Sequence, residues 1–217
     1  MRNAILFDLD GTLLDTAYDL TMAVNETIQR YQPKKHFSIE EARRIVGYGS
    51  ESIFTHLVTE YVPQISYETF RDAFREIYLR RKHQGTTFFE GVTELLAHIN
   101  TKKIPWGIVT NKTEEGAEQS AEKFPLLNTA RCIVGCNTTS DAKPSPLPLL
   151  YACEKINMLP KDCWFVGDTI IDMQAAHAAN IAALAVGYGY GTEDIKQGKY
   201  PPFAWIQSPL DILSYLP

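Results

Sequence analysis

The chain has 217 residues, of which 45% are hydrophobic and 22% charged, with a formal net charge of −5. These values lie close to the averages of folded globular domains and exclude a disordered, collagenous or coiled-coil chain, and the length suits one domain or one domain carrying a smaller insertion. Mild acidity without a dense Lys/Arg block denies duplex nucleic acid and anionic membrane surfaces the electrostatic footprint they need.

The first apolar run, Ala4-Ile5-Leu6-Phe7, is short, unbroken and ends at acidic residues and a glycine. It reads as a buried strand that delivers side chains to its C-terminal edge. It also meets Asp8 too soon for a signal-peptide core, and no later run approaches a membrane span. From about Ala17 to Gln84 the chain reads as helix throughout, with Leu20, Val24, Ile28 and Tyr31 on one face and Phe70, Phe74, Ile77 and Tyr78 on another. Ser38 with Glu41 predicts a capping box, Ser50 precedes the periodic set Ile53, Phe54, Leu57 and Val58, and Ser66 stands before the longest helix. This helical insertion returns near Gly85, where Phe88-Phe89-Glu90-Gly91 offers a hinge.

Further buried strands are predicted at Trp106 to Val109, Cys132 to Gly135, Trp164 to Gly167 and Ala182 to Val186, each separated from the next by a helical stretch. Strands alternating with helices predict an α/β fold with a Rossmann-like parallel sheet flanked by helices, whose ligands bind at the carboxyl ends of the strands. The division expected is a core of residues 1–16 and 86–217 with an all-α insertion over 17–85. Cys132, Cys136, Cys153 and Cys163 form no C-x-x-C pair and are expected as reduced thiols of a cytoplasmic protein. His36, His56, His83, His98 and His177 lack H-x-x-x-H spacing and are expected at the surface or between helices, not on zinc.

Asp8 and Asp10, just past the first strand, can both point into one site if the chain leaves the pleat there, as Gly11 permits. Such a pair suits phosphoryl transfer: one aspartate acts as nucleophile while the other gives a proton to the leaving oxygen and later takes one from water. The competing reading is a loop whose aspartates cap the next helix. A second cluster, Gly167-Asp168-Thr169-Ile170-Ile171-Asp172, also follows an apolar strand, and accident in both places is on the order of one in a thousand. Asp8 and Asp168 could hold a hard cation such as magnesium, which neutralises charge and orients phosphate. Thr110, after Ile108-Val109, and Lys143, in Asp141-Ala142-Lys143-Pro144-Ser145-Pro146, are candidate partners for phosphate oxygens. Pro144 biases Lys143 away from the helical region.

With Asp8-Leu9-Asp10-Gly11-Thr12, Thr110, Lys143 and Gly167 to Asp172 in that order, the chain resembles the haloacid dehalogenase superfamily of phosphotransferases along its whole length. The resemblance implies Asp8 as nucleophile, Asp10 as acid/base, and Thr110, Asn111 and Lys143 as phosphate-binding. It implies Mg2+ held by Asp8, Asp168 and the Asp10 backbone carbonyl, with Thr12 and Asp172 supporting from behind, and a helical cap closing over a small phosphorylated metabolite. Phe7 to Leu13, Val109-Thr110-Asn111-Lys112, Phe165 to Asp168 and Gly187 to Gly191 look most like the phosphoglycolate phosphatase branch, although phosphatases of N-acetylmuramic acid 6-phosphate share these strings. Substrate choice is expected in the cap, at Val46-Gly47-Tyr48-Gly49-Ser50, with Arg43 and Arg44 either pairing a carboxylate or forming a solvated helix face. The chain is expected as a monomer or weak dimer.

Asp10 favours hydrolysis over a dehalogenase or an ion-pumping ATPase, and Lys34, Lys35 and Lys82 do not stand where a phosphonate hydrolase needs its Schiff-base lysine. Phosphatases of sugar phosphates or nucleotides, and phosphomutases, share every core motif. A phospho-receiver switch would carry its acceptor after a middle strand and have no cap.

Overall fold

The computed structural model describes residues 2–45, 50–81 and 83–217, the side chains of 43–45 and 50–53 excepted. Its first strand, β1 (Ala4–Phe7), is buried along its whole length. Ile5 and Phe7 enter one apolar cluster and Ala4 and Leu6 another. Side chains alternating between two covered faces leave no polar position, which is why the run reads as uninterrupted hydrophobic sequence.

Beyond β1 the chain makes a short strand β2 (Leu14–Asp15) and then four helices, α1 (Ala17–Gln29), α2 (Ile39–Ile45), α3 (Ser50–Tyr61) and α4 (Tyr67–Arg81). It returns through β3 (Thr87–Phe88), which pairs antiparallel with β2, Leu14 opposite Phe88 and Asp15 opposite Thr87. The two crossings between helices and sheet therefore run side by side as a ribbon. Two-residue strands carry no periodic signal, so sequence reading found a hinge region at Phe88 and missed the pairing. The helices bury a core of their own, built around Val24, Ile28, Phe37, Leu57 and Phe70. The predicted capping box opens α2: Ser38 N donates to Glu41 Oε2 at 2.8 Å and Glu41 N to Ser38 Oγ at 3.2 Å. Asn25 clamps the preceding loop, accepting from Phe37 N at 2.7 Å and donating to Phe37 O at 2.8 Å.

The rest of the chain alternates: α5 (Val92–Thr101), β4 (Trp106–Val109), α6 (Glu114–Lys123), β5 (Ile133–Val134), α7 (Leu147–Lys155), β6 (Cys163–Gly167), α8 (Ile170–Ala178), β7 (Ala182–Val186), α9 (Thr192–Gln197) and β8 (Ala204–Ile206). The strands form one parallel sheet in the order β5-β4-β1-β6-β7-β8. The expected α/β sheet is thus present with one strand more. β8 has three residues just after Pro201 and Pro202, too short and too close to breakers to be read as a strand. Helices α5 and α6 cover one face through Leu95, Leu96, Ile99 and Ala117, and α7 and α8 cover the other through Leu149, Ala152, Met173 and Ala176. The chain leaves β1 toward β4 on one side and later continues from β6 on the other. The carboxyl ends of β1, β4 and β6 therefore adjoin where the strand order reverses, the place where such sheets bind ligands. No helix among the described residues is long and apolar enough to cross a membrane.

Candidate active site

Asp8 is the first residue beyond β1, and its N donates to Val166 O of β6 at 2.8 Å, so the backbone is still in sheet register where the carboxylate emerges. Three residues on, Gly11 has φ +90, a conformation that costs glycine little and other residues much. A Cβ there would also stand 2.2 Å from Asp168 Oδ2, and one on Gly189 would stand 2.2 Å from Asp168 Cβ. Two glycine backbones thus close around Asp168, which follows β6 and is fully buried. Tyr190 N donates to its Oδ2 at 2.8 Å, and Thr12 Oγ1 approaches its Oδ1 at 3.5 Å.

Asp172 lies in the first turn of α8, where the capping box with Thr169 fixes it. Thr169 N and Oγ1 donate to Asp172 Oδ2 at 3.0 and 2.7 Å. Its other oxygen faces the site and accepts from Lys143 Nζ at 2.6 Å, and the same ammonium donates to Asp8 Oδ1 at 2.7 Å. Asn111, expected among phosphate-binding groups, uses its amide otherwise. It accepts from Lys143 N at 3.1 Å and donates to Lys143 O at 2.9 Å, holding the loop that carries the lysine. Thr110, at the end of β4, is buried and accepts from Lys112 N at 3.1 Å. Lys112 Nζ in turn donates to Asp10 Oδ1 at 2.9 Å.

Burial is the main cause that pushes the Asp8 carboxyl up to about 7; the Lys143 ammonium pulls against it and the Asp172 charge adds to it. Asp168 is raised well above the ordinary carboxylate range, first by burial and then by the charges of Asp8 and Asp172. Each of Asp8, Asp168 and Asp172 offers an oxygen within 4.8 Å of the others. Three crowded buried carboxylates, of which Asp8 and Asp168 resist ionisation, beside the ammonium of Lys143 form a donor set that fits a hard, oxygen-seeking divalent cation.

A cleft of about 610 Å³ opens between this sheet edge and the helices, with Asp8, Asp10, Thr110 and Lys143 on one wall and Phe54 and Phe74 on the other. The structure therefore brings Asp8, Asp10, Thr12, Thr110, Asn111, Lys143, Asp168 and Asp172 to one place. Gly47, Tyr48, Gly49 and the Arg44 side chain lie outside the described residues. Sequence reading missed Lys112 and Tyr190 as parts of the site. Lys112 could have been found by asking which cation accompanies Asp10; the Tyr190 contact is made by a backbone N–H, which no side-chain pattern reveals. His83, expected at the surface or between helices, is buried, with Nε2 3.0 Å from Ser120 Oγ and Nδ1 3.3 Å from Thr86 Oγ1.

Comparison with known proteins places this arrangement. The family of haloacid dehalogenase-like hydrolases matches over residues 5–186. A phosphoglycolate phosphatase of Chromobacterium violaceum is 35% identical over 191 residues, covering 86% of each chain. An N-acetylmuramic acid 6-phosphate phosphatase of Pseudomonas putida is 32% identical, covering 86% of this chain and 83% of its own. The crystal structure of a predicted phosphoglycolate phosphatase from Haemophilus somnus superposes with a TM-score of 0.88 at 26% identity, over 99% of this chain and 97% of that one. The chain belongs to the haloacid dehalogenase-like hydrolases, among the phosphatases that cleave phosphoric monoesters.

Proposed function

We propose that the chain is a magnesium-dependent phosphatase of small metabolites, working through an aspartyl-phosphate on Asp8, with 2-phosphoglycolate as its substrate. The observation that carries the mechanism is the Asp8 carboxylate at the sheet edge, 2.7 Å from Lys143 Nζ and grouped with Asp168 and Asp172. Asp8, Asp168 and the Asp10 backbone carbonyl would hold magnesium, with Asp172 and Thr12 supporting them, and the bound ion would neutralise charge and orient the phosphate. Lys143 and Thr110 bind phosphoryl oxygens, and Asn111 keeps Lys143 in place.

In the first step an Asp8 oxygen attacks phosphorus, the bond to the leaving oxygen breaks, and Asp10 gives that oxygen its proton. In the second, Asp10 takes a proton from water as the water oxygen attacks phosphorus. The bond to Asp8 then breaks and inorganic phosphate leaves. Residues 17–85 act as a cap over residues 1–16 and 86–217, and their apolar wall keeps bulk water from the aspartyl-phosphate.

The substrate assignment is supported by the relative from Chromobacterium violaceum. N-acetylmuramic acid 6-phosphate is the second reading, favoured by the Pseudomonas putida relative. A magnesium-supplemented panel of 2-phosphoglycolate, N-acetylmuramic acid 6-phosphate, sugar phosphates and nucleoside monophosphates, ranked by kcat/KM, tests both. First rank for 2-phosphoglycolate is expected. Turnover confined to another compound rejects it, and a rearranged sugar phosphate without released phosphate would identify a mutase.

A further inference from the structure

Lys112 is held at both ends. Its N donates to Thr110 Oγ1 at 3.1 Å and its O accepts from Cys136 N at 2.9 Å, so the backbone is fixed against two strand ends. At the other end Nζ meets three acceptors: Asp10 Oδ1 at 2.9 Å, Tyr78 OH at 3.1 Å and Ser120 Oγ at 3.5 Å. An ammonium has three N–H groups to place, and this one is nearly buried, its side chain 9% exposed. Two of its partners belong to the sheet side of the cleft and the third, Tyr78, to α4 on the opposite wall. Tyr78 is itself stacked on Phe74, with ring centroids 5.6 Å apart.

Asp10 is less constrained by its own surroundings. Its side chain is 20% exposed, and among the described residues Lys112 is the group that engages Oδ1, while no hydrogen bond reaches Oδ2. A carboxylic acid donates well only if its protonated oxygen is already aimed at the departing atom, because orientation supplies much of the rate. We propose that Lys112 is a positioning residue for Asp10: it captures Oδ1 and leaves Oδ2 facing the leaving-group oxygen, while Tyr78 of the helical segment holds Lys112 in turn. The inference rests on the assignment of Asp10 as the acid in the preceding reading. As the phosphorus–oxygen bond breaks, the Oδ2 proton passes to the leaving oxygen, and the negative charge that appears on Asp10 forms beside the ammonium already in place.

Leaving groups separate this role from a structural one. An alkyl phosphate such as 2-phosphoglycolate needs a proton as its alkoxide departs, whereas p-nitrophenyl phosphate releases a stable phenolate. kcat/KM reports only the steps through the first transfer, so the later hydrolysis does not blur the comparison. Lys112→Met, Tyr78→Phe and Asp10→Asn are assayed with both esters in magnesium. Lys112→Met is expected to lose about tenfold more on the alkyl ester than on the aryl ester, and Tyr78→Phe about threefold more, both in the same sense as Asp10→Asn. Equal losses on both esters, or none, in Lys112→Met and Tyr78→Phe while Asp10→Asn remains selective would overturn the positioning role. An Asp10→Asn variant without selectivity overturns the acid assignment, and the inference falls with it.

Discussion

The two walls of the cleft are built on opposite principles. On the sheet side the buried polar groups are locked to one another: Lys143 bridges Asp8 and Asp172, Thr169 caps Asp172, and Tyr190 N holds Asp168. On the helical side the wall is mainly the flank of an apolar core, with Phe54 in ring contact with Phe70 and Phe74 at centroid distances of 5.7 and 4.9 Å, and Arg71, Asp72 and Arg75 of α4 also line it. Single substitutions should therefore separate activity from stability on the first wall and act chiefly on stability in the apolar core behind the second.

The largest expected effect is on chemistry alone. Asp8→Asn should lower phosphate release by at least about ten-thousandfold while the melting temperature in the absence of metal does not fall, since the change removes a crowded charge. Normal turnover by that variant would remove the nucleophile from the proposed mechanism. On the opposite wall, Phe70→Ala empties a fully buried site and should cost about 4 kcal/mol in urea unfolding. A loss below about 1 kcal/mol would mean that the helical core is not closely packed.

Where the walls join, the fully buried Asp19 accepts from Gly85 N at 2.9 Å and Thr86 Oγ1 at 2.7 Å and faces Arg81 Nε at 3.3 Å. It ties the start of α1 to the returning chain. Asp19→Ala should destabilise by about 3 kcal/mol, chiefly through buried donors left unpaired, and a neutral result would make the latch dispensable. The smallest effect concerns pH. Burial, helped by the Lys112 charge, pushes His83 from 6.5 down to about 4. The unfolded chain then binds the extra proton between those values, so stability rises with pH through that window and is lost on acidification. The His83 contribution should fall by about 1 kcal/mol from pH 7 to pH 5.5, and His83→Gln should flatten that part of the profile in parallel urea titrations.

The sheet side was far easier to read from sequence, and the reason is geometric. A buried parallel strand is a solid apolar run, and the residue after it sits at the ligand-binding edge, so Asp8, Thr110 and Asp168 could be assigned to one place from their position after such runs. Asp10 and Lys143 followed from turn chemistry around Gly11 and Pro144. What escaped was short, made by the backbone or paired over a long stretch of chain: β2 and β3 of two residues each, β8 of three, the Tyr190 N contact, and the bond from Lys112 Nζ to Asp10. The family resemblance names Asn111 among the phosphate-binding residues. Only the fold shows that its amide reaches across to the Lys143 loop, a contact 32 residues away in the chain. On the helical side periodicity gave the faces of α1 and α4. How those helix faces converge on the cleft is not encoded by periodicity within one helix.

The β2–β3 ribbon has an architectural consequence. Because Leu14 and Phe88 are cross-strand partners, the sheet domain meets everything between them as though it were the loop of a single hairpin. The points where the inserted segment leaves and rejoins the sheet are thus fixed by the ribbon, whatever the segment's length. A longer, shorter or differently folded insert ending in the same two strands would enter and leave the sheet at the same junction, so that one wall of the cleft is carried by a single contiguous stretch of chain.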